Sequence, residues 1–409
     1  MTEAAPETPR LPPIWLLGMA NLPYGFFGAV VLLTVPQLLA ARHVPEAQIA
    51  SVTAFALVPG FCGFLLAPML DVRFSRRTYA VALAALSVVL LALGLQSLDD
   101  LPRLGGLLFA GYAAQILFTA AISGWLGSLV PTADDSRLGA WLNVSNISGF
   151  GVMAILGITL LRALPAVIGP IALGAIILAP TMLFLWLPAP GPDRRLAKES
   201  FGQLVGDLAH LVRMPAVLRT LPLFALPAAS FALTNTLGGL GAEFGASEAV
   251  VGIAGGVGVV AAGIVGALLV PVLVKRVTPV QLYLLIGAVG ALFTLSLIAM
   301  PRSPIVFVLA MTGENVFQAA AFATAFTIIF ASMGKANPFA ATHFALLNAA
   351  NCLPIAYMQL IDGHAHGWRG ATGSFLADGL FTLAACAALA IVLKVWRPEP
   401  SPAAVQLSA

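Results

Sequence analysis

Apolar residues run in long stretches along this chain, and polar residues gather in short clusters between them. Segments such as 80–95 and 250–274 stay apolar almost throughout, whereas a barrel strand alternates apolar and polar positions over about ten residues. The runs therefore predict helices. Bounded by Pro, Gly or charge, they fall at about 14–40, 47–70, 78–97, 105–130, 138–162, 165–187, 217–241, 247–274, 279–300, 304–332, 338–361 and 370–395. Each reaches the roughly 20 residues that a bilayer-spanning helix requires. The longest polar interruption, 188–219, lies at the middle of the chain and contains an amphipathic stretch at 201–212, read as an interfacial helix between two halves. The expected organisation is a first six-helix bundle at 1–187, a cytoplasmic linker at 188–216, a second bundle at 217–397 and a tail at 398–409.

Composition leaves no alternative to a membrane protein. Of 409 residues, 60% are hydrophobic and only 9% charged, against about 25% charged in soluble domains. The net charge of +3 does not indicate nucleic acid, because the basic residues stand singly or in pairs at span ends. With the N-terminus inside, the cytoplasmic segments hold Arg10, Arg73, Arg76, Arg77, Arg137, Arg194, Arg195, Lys198, Arg213, Arg219, Lys275, Arg276, Lys335, Lys394 and Arg397, and the other side holds Arg42, Arg103, Arg162, Arg302 and Arg369. Fifteen against five follows the positive-inside rule and predicts both termini in the cytoplasm of an inner-membrane protein. Cys62, Cys352 and Cys386 all lie in apolar runs, which excludes a disulfide framework.

The halves repeat. Leu22-Pro23 with Phe27 recurs as Leu226-Pro227 with Phe231; Gly63 to Pro68 recurs as Gly266 to Pro271; Leu142-Asn143 with Asn146 recurs as Leu347-Asn348 with Asn351. Shifts of 204, 203 and 205 residues keep the three matches in register. A tandem repeat of six spans places a pseudo-twofold axis along the membrane normal and a substrate site between the halves. The fold class expected is an all-α integral membrane protein of twelve transmembrane helices in two six-helix bundles.

On these residues the chain resembles the major facilitator superfamily. Ala67-Pro-Met-Leu-Asp71 followed by Ser75-Arg76-Arg77 resembles the signature loop between helices 2 and 3, without its usual glycines. The resemblance implies that Asp71, Arg76 and Arg77 gate one face. Asn21-Leu-Pro-Tyr-Gly25, Gly313-Glu-Asn315 and Ala341-Thr-His-Phe-Ala-Leu-Leu347 resemble the branch of AmpG-like muropeptide permeases, acetyl-CoA transporters and siderophore permeases. That branch implies proton-linked uptake of a bulky polar solute by a monomer. An exporter of drugs or metabolites on the same fold, or a receptor built on it, are the competing readings. Counterflow of labelled solute separates carriers from receptors.

Polar residues inside spans are costly and face the bundle interior or a wet cavity. Asn21, Tyr24, Tyr112, Gln115, Asn143, Asn146, Asn235, Asn315, Gln318, Asn348 and Asn351 are the candidates for lining a substrate cavity, with interhelical hydrogen bonding as the competing role and the favoured one for the Asn pairs of spans 5 and 11. Glu314 and Asp378 are the acids well inside spans. Glu314 lies ten positions past Pro304, about 15 Å down the helix, where an acid is held most cheaply in its neutral form. That makes Glu314 the first candidate proton carrier, followed by Asp378, on a span expected to pack peripherally, and His343. Asp362, His364 and His366 are expected in an exposed outer loop and do not amount to a metal site. No nucleotide, cofactor or hydrolysis motif is present, so accumulation requires an ion gradient. The expected partners are a small-molecule substrate, protons and the lipid bilayer.

Overall fold

The computed structural model describes residues 11–72, 74–187, 206, 209 and 211–393. The linker helix expected at 201–212 lies mostly outside the described residues. The tail at 398–409 and Arg10, Arg73, Arg194, Arg195, Lys198, Lys394 and Arg397 lie wholly outside them.

The described residues are helical, with no strand among them. Among the described residues, eleven helices are long and apolar enough to cross a membrane: α1 (Ile14–Ala41), α2 (Glu46–Leu65), α3 (Arg76–Leu95), α4 (Leu101–Leu129), α5 (Thr132–Ala163), α6 (Ile168–Leu185), α8 (Glu248–Leu273), α9 (Pro279–Ala299), α10 (Pro304–Met333), α11 (Ala340–Arg369) and α12 (Ala371–Val392), with the shorter α7 (Pro215–Ala225) between α6 and α8. Several of their N-termini carry side-chain caps supplied by the short loops. Ser75 accepts from the Thr78 amide, Asp100 from Arg103, and Thr278 with Gln281 forms a reciprocal capping box. Large apolar side chains such as Ile155, Val257, Ile305 and Ile391 stand exposed on the outer surface, as a lipid-facing surface requires.

The seventh span departs from the sequence expectation. Instead of one helix over 217–241, α7 ends at Ala225, the chain runs extended through Leu226, and Phe231 takes a left-handed conformation with φ of 46° before 3₁₀ turns at Ala232–Asn235 and Leu237–Phe244. Pro227 is the cause: it offers no N–H and disfavours the helical conformation at Leu226. Carbonyls freed inside a membrane need other donors. The Tyr357 hydroxyl donates to Ala225 O at 2.8 Å, the Cys386 thiol to Ala228 O at 3.1 Å and Gln318 Nε2 to Phe231 O at 3.2 Å. A second correction concerns α11, which continues to Arg369 rather than ending near 361, so that Asp362, His364 and His366 sit on a helix and not in a loop.

Helices α1–α6 pack on one another, as do α7–α12. The two sets meet through α5 on α8 and α10, and through α11 on α2, α4 and the 67–71 turn. Close approach depends on missing side chains. A Cβ at Gly124 of α4 would lie 2.7 Å from Ala341 N, and one at Gly139 of α5 would lie 3.0 Å from Ala323 O. Among the described residues, every side-chain hydrogen bond between the two sets lies in the cavity wall or at the end carrying the α2–α3, α4–α5 and α10–α11 loops. The molecule is thus closed at that end.

Candidate functional site

Between the two sets lies a cavity of about 200 Å³. Seven of the sequence candidates line it: Asn21 and Tyr24 from α1, Asn143 and Asn146 from α5, Asn315 and Gln318 from α10, and Asn348 from α11. Thr119, Ile147, Val259, Gly263, Ala319, Phe322, Phe326 and Cys352 complete the wall; sequence reasoning did not single these out, because periodicity alone does not give the rotation of one helix against another.

The lining amides divide into tied and free groups. Asn21 donates to Leu142 O at 3.3 Å and accepts from Thr119 at 3.2 Å, joining α1, α4 and α5. Asn143 donates to Ala319 O at 2.9 Å, across the two sets, and Asn315 to Met311 O at 2.8 Å. Gln318 donates to Thr234 Oγ1 at 2.6 Å as well as to Phe231 O, bracing the unwound seventh span. Asn146 and Asn348 are half-buried, and neither makes a side-chain hydrogen bond to a described residue. In the repeat, tied Asn143 matches free Asn348, and free Asn146 matches Asn351, which accepts from the Tyr283 hydroxyl at 3.1 Å. Each Asn pair therefore supplies one structural amide and one amide open to the cavity.

Four candidates stand elsewhere. Gln115 is fully buried and donates to Ser87 at 2.7 Å, so it faces α3. Tyr112 lies behind Tyr24, their hydroxyls 3.3 Å apart. Asn235 is exposed on the 3₁₀ segment, and Asn351 is buried against α9.

Glu314 does not line the cavity. It points from α10 into the interior of the α7–α12 set, where it is fully buried and the Thr294 hydroxyl of α9 lies 2.5 Å from its Oε1. Thr294 also lies 3.0 Å from Gly290 O. A hydroxyl has one proton, so both contacts are satisfied when Glu314 carries a proton donated to Thr294 and Thr294 donates to Gly290. Asp378 on α12 is buried as well, contrary to the peripheral position expected for that span, and so is Asp362 on α11, contrary to the outer-loop expectation. The three acids lie within electrostatic range of one another. Glu314 Oε2, both Asp362 oxygens and Asp378 Oδ1 are buried without a partner, and no salt bridge among the described residues reaches any of the three. No group that could hold a metal ion is found among the described residues. His343 is buried and satisfied on both ring nitrogens: Asn337 Nδ2 donates to Nδ1 and Nε2 bonds Ser332 Oγ, each at 3.2 Å.

The closed end is held by two charged clamps. Asp71 has a fully buried side chain and accepts from Arg76 at 2.9 Å, from the Ala341 and Thr342 amides at 3.3 and 2.9 Å, and from the Thr342 hydroxyl at 2.7 Å. It caps the N-terminus of α11, where an acceptor and a negative charge are both favoured. Arg76 also donates to Asn337 O and Pro338 O, at 3.3 and 2.8 Å. Burial raises the Asp71 pKa, opposed by the Arg76 charge and the Thr342 bonds. Arg77 is half-buried and takes no part in these contacts. The second clamp was not anticipated: Lys335, in the α10–α11 loop, donates to Asp135 at 2.5 Å and to Gly127 O at 2.9 Å. Partners 200 residues apart leave no mark in local spacing.

Comparison with curated proteins gives no match. Among solved structures, the human organic anion transporter MFSD10 (TETRAN) is similar with a TM-score of 0.68 at 15% identity, over 93% of this chain and all of that one. The proton:xylose symporter XylE gives 0.69 at 16%, over 93% and 95%. A bacterial homologue of the iron transporter ferroportin in the outward-facing state gives 0.65 at 16%, over 94% and 98%. At such identities the likeness establishes the fold. The sequence profile of the Major Facilitator Superfamily matches residues 17–357, and with the helical architecture and central cavity this places the chain in the major facilitator superfamily, as a multi-pass membrane transporter and not an enzyme.

Proposed function

We propose that this transporter couples the uptake of a polar solute to protons, with residues 1–187 and 217–397 rocking as two bundles about the central cavity in the cytoplasmic membrane. The observation that carries the reading is the set of unpaired acids, Glu314, Asp362 and Asp378, buried beside a cavity wall that α10 shares through Asn315 and Gln318. An acid in such surroundings crosses a dry barrier cheaply only in its neutral form, so a carrier that must return empty and protonated, or loaded and protonated, has its proton position here. Glu314 is the first choice, because it is continuous with the cavity wall on one helix and has a hydroxyl, Thr294, positioned to share its proton. The XylE symporter, by its name, also couples a solute to protons. The solute is taken to be smaller than the muropeptide- or siderophore-like cargo of the resembling branch, since about 200 Å³ falls below the roughly 300–1,000 Å³ of most small-molecule sites.

Glu314→Gln keeps the shape and hydrogen bonding of the neutral acid. In proteoliposomes this variant should exchange labelled for unlabelled solute at a rate near wild type and lose accumulation driven by an imposed pH step. Accumulation at wild-type levels would remove Glu314 from coupling and pass the role to Asp378 or Asp362.

A further inference from the structure

We infer that the central cavity binds a small uncharged polyhydroxylated solute and rejects anions and cations of the same size. The inference rests on the reading of this cavity as the transport site and adds the class of solute. Of the fifteen residues lining the cavity, none is Asp, Glu, Lys, Arg or His. An ion entering it would leave water for a site without a countercharge, and the nearest acids, Glu314 and its neighbours, point away into the α7–α12 interior. An unpaired ion in such a place is strongly disfavoured.

The free hydrogen-bonding groups narrow the class further. Asn146 and Asn348 face the cavity from opposite sets and keep both their donors and their acceptor, because neither is bonded to a described residue. A hydroxyl, which donates and accepts, matches such an amide at either end; a carboxylate only accepts and an ammonium only donates. Gln318 spends both N–H donors, on Phe231 O and Thr234 Oγ1, and has only its amide oxygen left, whereas Asn143 and Asn315 each spend one N–H on a backbone carbonyl and keep the other beside a free oxygen. The wall therefore sets neutral donors and acceptors side by side with no charged group among them, which suits a solute of several hydroxyls and leaves a carboxylate or phosphate without a countercharge. Phe322 and Phe326, one turn apart on α10 with ring centroids 6.5 Å apart, supply an apolar surface for the C–H face of such a molecule. Volume sets the size: about 200 Å³ suits a compact single-ring solute and not an oligomer.

The test uses the purified full chain in lipid nanodiscs and a matched panel: neutral pentoses, hexoses and inositol, with the uronic acid and amino-sugar counterpart of each hexose. Binding is read by calorimetry and by protection of Cys352, which lines the cavity, from maleimide. At least one neutral member should bind, its charged counterparts at least about tenfold more weakly, because a charge leaves the amides unmatched. Asn146→Leu and Asn348→Leu should each weaken that binding, with Asn146→Ser and Asn348→Ser as smaller replacements should the leucines fail to fold. Equal or tighter binding of a uronate or amino sugar overturns the inference, and so does failure of every neutral member to bind. No pH gradient enters this assay, so the outcome is independent of whether Glu314 carries the coupling proton.

Discussion

Removing Asp71 should open the closed end of the transporter. In the closed arrangement its carboxylate accepts from two α11 amides, the Thr342 hydroxyl and Arg76; once that face opens, water takes over each partner. Asp71→Ala leaves buried Ala341 and Thr342 N–H groups without an acceptor and Arg76 with only its two backbone carbonyls. Unsatisfied buried donors cost about 1–3 kcal/mol each, and loss of a helix N-terminal acceptor costs about 1 kcal/mol. Relief from desolvating the Asp71 charge, the same burial that raises its pKa, offsets part of this. A net loss of about 2 kcal/mol corresponds to a roughly 30-fold shift toward the open face. Cys352 in the cavity wall is the reporter, with Cys62 and Cys386 replaced by Ser. On the proposed topology, which puts the closed end in the cytoplasm, labelling by an impermeant maleimide added outside inside-out vesicles should quicken by about that factor. A rate unchanged within about twofold would show that Asp71 does not hold this face, and the hydrogen-bond reasoning would fail.

Lys335→Met should act in the same direction but more weakly, by about 1–2 kcal/mol, because it strands nearly buried Asp135 while Lys335 itself is 30% exposed; the double variant with Asp71→Ala should be close to additive in the same labelling assay, since the two clamps share no partner. Glu243, at the opposite end, accepts from His366 at 2.6 Å and from the α12 amide of Ala371 at 3.1 Å. Against the effect of its partial burial, these bonds and the His366 and Arg302 charges lower its pKa. Its stabilisation is then present above the ordinary carboxylate range and lost as pH falls through the lowered value, so Glu243→Gln should lower the Tm at neutral pH and have no effect in strong acid. Reporter fusions at Pro190 and Ala409 should read cytoplasmic and those at Asp99 and Arg302 external; an external signal at Pro190 would break the six-plus-six arrangement.

Runs of apolar residues with Pro, Gly and charge at their ends located eleven of the spans, because the bilayer imposes length and composition on any helix that crosses it. The same criterion misread the seventh, since an unwound apolar segment and a helix have equal hydropathy. The local signal was Pro227, close behind Pro222. Asp362 was misplaced for the converse reason: the hydropathy falls at the end of α11 while the helix continues and Ser374 of α12 bonds its Asp362 carbonyl at 3.0 Å. Internal repetition identified the Asn pairs but not that each would divide into a tied and a free amide. That division depends on which neighbouring carbonyl or hydroxyl lies within reach, as Ala319 O does for Asn143 and Tyr283 for Asn351. Glu314 was recognised by depth alone; its orientation toward Thr294 rather than the cavity follows from helix rotation, which hydropathy does not encode.

Coupled uptake requires that solute and proton move together. Proteoliposomes holding the purified wild-type protein, given a neutral member of the sugar panel that binds and a pH step acid outside, report solute uptake and external pH at once. Labelled solute should accumulate above its external concentration while the medium turns alkaline on solute addition, and a protonophore should abolish both. Solute that only equilibrates, at a rate and to a level indifferent to the pH step, with no alkalinisation, would contradict coupled uptake.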